Sequence, residues 1–160
     1  MNKLFMAAAL LLPALLACNE SRGQHLASEK VPTEVRNTFS TKFPTATGVK
    51  WELEDATAYE AEFKDNGKER SATFSLTGQW LETGTEMKPA ELPAAVTKAI
   101  ATSFAGSKVE EAETVETPDR GTFYEVELKQ SERTLEVQFA ADGTVLKQAV
   151  EEETKDEDKD

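Results

Sequence analysis

The chain has 160 residues, 30 acidic against 18 basic, for a formal net charge of −12, with one cysteine and one histidine. So acidic a chain is set against phosphate backbones and anionic headgroups, which leaves nucleic acid out as a partner. A single cysteine rules out an intramolecular disulfide, so stability has to come from an apolar core.

The chain opens with a short positive start, Met1-Asn-Lys3, followed by an apolar run from Leu4 to Ala17 broken only by Pro13. Such a run is short for a membrane span, which needs roughly 20 residues, and fits the apolar region of a secretory signal peptide. It ends Leu15-Leu-Ala17-Cys18, which resembles a bacterial lipobox. The resemblance implies a signal peptide over 1–17, cleavage before Cys18 and acylation of its thiol. Residues 18–30 carry no apolar period and read as a tether from lipid to domain, with the only histidine, His25, in solvent. The expected location is the cell envelope, lipid-anchored and facing the periplasm, with the membrane touched only through the lipid on Cys18.

Large apolar residues then fall at Val31, Val35, Phe39 and Phe43, with Pro32 behind the first. Steps of four keep these side chains on one flank of a helix, and a proline at the first helical position loses nothing by lacking an N–H. Phe43-Pro44 stops the pattern. Val49, Trp51 and Leu53 alternate with Lys50, Glu52 and Glu54, the period of a half-buried strand. Tyr59, Ala61 and Phe63 alternate with Glu60, Glu62 and Lys64, and Asp65-Asn66-Gly67 signals a tight hairpin. Ala72, Phe74 and Leu76 form a third strand, and Thr77-Gly78 turns into a fourth near 79–85.

Sixty-one residues after the first helix the same figure returns as Leu92-Pro93, Val96, Ile100 and Phe104. Strands follow near 108–117, through Tyr124, Val126 and Leu128, through Leu135, Val137 and Phe139, and over 144–150. The offset from the first copy grows to 65, which places about four inserted residues near 116–120, in a turn. The repeat predicts an α+β fold of two tandem units over 31–89 and 90–150, each one helix packed on a four-stranded antiparallel sheet. Residues 151–160 are charged without an apolar residue and read as a disordered acidic tail.

These residues (Val31-Pro32, Leu92-Pro93, Phe43-Pro44, Val49-Lys-Trp51 and Tyr59 to Phe63) resemble the PepSY-like periplasmic proteins over about 31–150. That family is related in fold to the beta-lactamase-inhibitor proteins, which implies tandem helix-plus-sheet units and a surface that binds a protein. The inhibitors bind with an aromatic-rich sheet surface, whereas the outward set here is Lys50, Glu52, Glu54, Glu60, Glu62, Lys64, Ser71, Thr73 and Ser75. No binding residue carries over.

Paired glutamates (52/54, 60/62 and 125/127) share strand faces, as any solvated sheet face would show, and Glu110, Glu111, Glu113 and Glu116 lack the glycine-bearing loop of a calcium site. No Gly-x-Ser-x-Gly elbow, Walker loop or dinucleotide fingerprint is present. The chain therefore reads as a non-enzyme, with no catalytic residue, no metal ligand and no cofactor. Two aromatics stand out as partner-binding candidates. Phe123 falls on the face of Glu125 and Glu127, and Trp80 competes with Leu81 for the inward position. The function expected is a binding or inhibitory module acting on a periplasmic or envelope protein through open sheet faces. The alternative is a structural or stress-related lipoprotein that sequesters small ligands or cations.

Overall fold

A computed structural model describes residues 24–54, 56–131 and 133–151. The signal segment, the lipobox with Cys18, most of the tether and the tail from 152 onward lie outside the described residues.

Strand β1 (Gln24–Leu26) is followed by helix α1 (Thr33–Lys42) and strands β2 (Thr47–Glu54), β3 (Ala58–Asp65), β4 (Lys68–Ser75) and β5 (Trp80–Glu86). Helix α2 (Ala94–Ser103) then precedes β6 (Lys108–Thr117), β7 (Gly121–Gln130), β8 (Arg133–Phe139) and β9 (Val145–Glu151). All nine strands form one antiparallel sheet in chain order. This corrects the expectation of two units, each with its own four-stranded sheet. Two pairings make the difference. The outer edge of β5 takes β6, from Thr83 opposite Glu116 to Glu86 opposite Glu113. Gln24–Leu26, in the stretch read as tether, adds a strand against residues 51–53. Alternation along a strand reports which face is apolar, but an edge still has N–H and C=O groups to satisfy, and here the next strand satisfies them.

Each helix begins one residue after its proline, with Pro32 and Pro93 at the N-cap. The Phe43 N–H donates to the Phe39 carbonyl and the Phe104 N–H to the Ile100 carbonyl, closing both last turns. α1 buries Val35 and Phe39 against Trp51, Ala61, Phe63, Ala72 and Phe74. That core is largely aromatic, with Phe39 edge-on to Phe63 at 5.0 Å and to Trp51 at 5.2 Å. α2 buries Val96 and Ile100 against an aliphatic set that includes Val126, Leu128, Leu135 and Val137.

Register places both helices on the same side. Ala72 of the first core sits opposite Thr83, and Thr83 sits opposite Glu116. Glu116 shares its face with Ala112, which lies in the second core. None of the described helices covers the other face of the sheet, and that face carries the acidic side chains.

Candidate functional site: the acidic face of the sheet

Because strand residues alternate, every second residue of the apolar series above hands its neighbour to the open face. Pairing then sets carboxyls directly opposite one another: Glu52 and Glu60, Glu86 and Glu113, Glu113 and Glu125, Glu111 and Glu127, Glu127 and Glu136. Like charges opposite each other on a sheet oppose folding. Several are also withdrawn from water, Glu52 at 3 % exposure, Glu60 at 6 %, Glu113 at 7 % and Glu125 at 1 %.

Such a face resolves its repulsion by holding protons. Burial first, and then the adjacent carboxyl of Glu54, push the pKa of Glu60 up to about 9. Burial followed by the charges of Glu125, Glu82 and Glu86 pushes Glu113 up to about 8. Glu82 rises to about 7 through burial and the charges of Glu125 and Glu54, with the Arg120 guanidinium pulling the other way. Loss of hydration penalises the charged form of each, and neighbouring carboxylates add to it.

Cationic and amide groups are set among these carboxyls, with Lys50 Nζ 4.0 Å from Glu62 Oε2 and Lys64 Nζ 2.8 Å from Glu69 Oε1. Gln138 Nε2 donates to Glu125 Oε2 at 2.8 Å, and Arg120 Nη1 donates to Gln138 Oε1 at 3.0 Å. His25 Nδ1 lies 2.9 Å from Glu52 Oε1, so β1 brings the histidine onto the edge of the face. Gly84 leaves the space the Glu113 carboxyl occupies: a Cβ there would lie 2.5 Å from Glu113 Oε2 and 2.8 Å from Ser71 Oγ. Among the described residues no three acidic, histidine or cysteine side chains are placed to hold a metal ion.

The two candidate aromatics lie on opposite faces. Phe123 is on the acidic face, opposite Val115, but only 2 % exposed, with the Arg120 guanidinium 4.3 Å from its ring centroid. Trp80 lies on the helix side at the rim of the first core, half-buried, with Lys42 Nζ 3.5 Å from its ring centroid. Its indole N–H donates to the Glu82 carbonyl at 2.7 Å and to Thr83 Oγ1 at 2.9 Å. The structure does not bring the two together.

Residues 18–70 and 57–147 match the family described as "Putative beta-lactamase-inhibitor-like, PepSY-like". The chain belongs to this family. Solved structures agree. A BLIP-like protein from Bacteroides fragilis is similar at 25 % identity with a TM-score of 0.66, covering 74 % of this chain and 85 % of its own. A "putative periplasmic" protein from Bacteroides eggerthii is similar at 26 % identity and 0.68, covering 75 % and 88 %. A third, from Bacteroides ovatus, reaches 27 % and 0.68 over 74 % and 86 %. No curated protein matches the chain.

In this PepSY-like chain, sequence reasoning missed how the carboxyls meet across strands, because register is a property of pairing and not of one strand. It also missed Arg120. The signal available for it was the insertion near 116–120, which puts a cation into the turn between β6 and β7 beside the acidic face.

Proposed function

We propose that this chain is a periplasmic, lipid-anchored binding or inhibitory module that engages a protein partner through the acidic face of its sheet, without turnover of its own. The observation that supports the reading most is that face itself: an antiparallel surface that none of the described helices covers, on which Glu60 and Glu113 keep their protons past neutrality and Glu82 titrates near it. A partner that presents lysine or arginine side chains supplies charge opposite to the excess of carboxyls on the face. Opposite charge within a few ångströms favours the ionised carboxylate, so docking is coupled to release of protons and strengthens as pH rises. Membership in an inhibitor-like family and a structural relative described as periplasmic support the class and the compartment.

Cation sequestration rests on the same carboxyls. It is second because no three of the described side chains are placed to hold a metal ion. A photoreactive residue at Glu86, which is exposed on the acidic face, tests the first reading in cells. An adduct with a second, different protein is expected from position 86 and not from Thr97, exposed on the helix side. Equal adducts from both positions, or none, count against it.

A further inference from the structure

The two ends of the sheet differ. At one, β1 as described lies against residues 51–53 of β2. At the other, β9 is paired with β8 from Thr134 opposite Glu151 to Phe139 opposite Val145, and no described strand lies on its outer side. Of the large apolar side chains exposed among the described residues, Val145 (41 %), Leu146 (49 %) and Val150 (53 %) are on β9, with only Leu76 and Leu81 elsewhere. Exposed edges in monomeric proteins are usually blunted by charge, proline or a covering segment. Strand β9 has no proline and carries two charged residues, Lys147 near its middle and Glu151 at its end.

The chain already shows what a strand in this position does. β5 and β9 each follow a turn glycine, Gly78 and Gly143, and each skips one residue in its inner pairing. Trp80 pairs with Phe74 and leaves out Leu81, just as Val145 pairs with Phe139 and leaves out Leu146. Past the skip, β5 uses residues 83–86 to take β6 on its outer edge. The counterparts in β9 are residues 148–151, where no described strand arrives.

We propose that β9 pairs antiparallel with β9 of a second copy, about a two-fold axis at Gln148. In that register Leu146 falls opposite Val150 of the other copy, Lys147 opposite Ala149 and Val145 opposite Glu151, so an apolar pair forms on each side of the axis and no like charges are opposed. Gln148 shares the helix-side face with its β8 partner Val137, so this register also keeps all four helices of the pair on one side. Two-fold pairing closes at two copies, whereas addition of β9 to the β1 end would propagate without closing. Both copies are acidic, so the contact forms against long-range repulsion and is favoured by added salt. A basic partner on the acidic face shows the opposite salt response.

Cysteine cross-linking in the full chain tests this. In the two-fold register the Cα atoms of the paired residues 148 stand about 5 Å apart, within disulfide reach. Gln148→Cys is exposed and is expected to give a disulfide-linked species of twice the chain mass on mild oxidation. The unsubstituted chain, whose only cysteine is Cys18, and Asn66→Cys, in the distant turn between β3 and β4, are expected not to. Adding Val150→Lys to Gln148→Cys is expected to abolish the doubled species while the melting temperature holds, since Val150 is already half in water. Monomer from Gln148→Cys, or equal doubling from Asn66→Cys, overturns the proposal.

Discussion

Gly78 and Gly143, 65 residues apart, do the same job in the two halves of the sheet: each turns the chain at positive φ (84° and 85°) directly beneath the first turn of a helix. A Cβ on Gly78 would lie 2.9 Å from the Glu34 carbonyl carbon, and one on Gly143 would lie 2.5 Å from the Ala95 oxygen. Both obstacles are backbone, which cannot swing aside as a side chain can. Alanine at either position therefore combines a disfavoured conformation with a helix pushed off its sheet. Each substitution is expected to cost about 2–4 kcal/mol in denaturant melts. Gly84→Ala meets the end of a flexible glutamate instead, and is expected to cost less.

Phe39 and Ile100 are equivalent in the same way, each buried at 7 % exposure at the centre of its helix's contact with the sheet. Truncation to alanine is expected to destabilise by about 2–5 kcal/mol in either case, the range for large-to-small core changes. A cost below roughly 0.5 kcal/mol at either position contradicts the packing described.

The two helices, strands β2 to β9 and most of the inward phase of their side chains were legible because burial imposes a period that one strand or helix carries in its own sequence; Leu76, read inward with Ala72 and Phe74, lies beyond β4 and is exposed. Phe123 was read on the face of Glu125, where it is. Its burial was not legible, since Arg120 covers it from a separate turn. Trp80 had an ambiguous phase for a physical reason: the pairing skips Leu81, so the strand changes phase at that point. The union of the strands into one sheet depended on edge pairing between β5 and β6, which leaves no mark in the alternation of either. His25 was read as solvated, and its ring is indeed exposed, yet strand β1 places it against Glu52.

Stability should fall as pH rises through neutrality. Glu60, Glu82 and Glu113 keep their protons in the folded state to about 9, 7 and 8, whereas the unfolded chain releases them near 4.5. Between those values the folded state binds more protons than the unfolded one, so the stability they contribute is full below about 4.5 and is lost as pH climbs. Asp65, held low first by its hydrogen bond from Thr45 and then by Arg70, acts in the opposite sense and loses its contribution only on strong acidification. Thermal melts across pH 5 to 9 are expected to show a declining melting temperature, and Glu113→Gln is expected to flatten the decline. A melting temperature that rises across this range contradicts the protonated face.

The lipobox predicts a modified N-terminus. Mass spectrometry of membrane-extracted protein is expected to find a lipid-sized increment on the peptide beginning at Cys18. A free thiol there, or a mature chain starting elsewhere, removes the anchor from the account.

Binding of a protein by the acidic face is what the proposed function requires. Capture from periplasmic extract by the full chain, followed by calorimetry with the recovered partner at two pH values and two salt concentrations, tests it most directly. The expected partner has a basic surface, is released by about 0.5 M salt on the scale of Debye screening, is bound more tightly at pH 8 than at pH 6, and is lost on Glu62→Lys with Glu86→Lys while the fold is retained. Binding unaffected by the two charge reversals, or turnover of a small substrate abolished by Glu60→Gln, would contradict it.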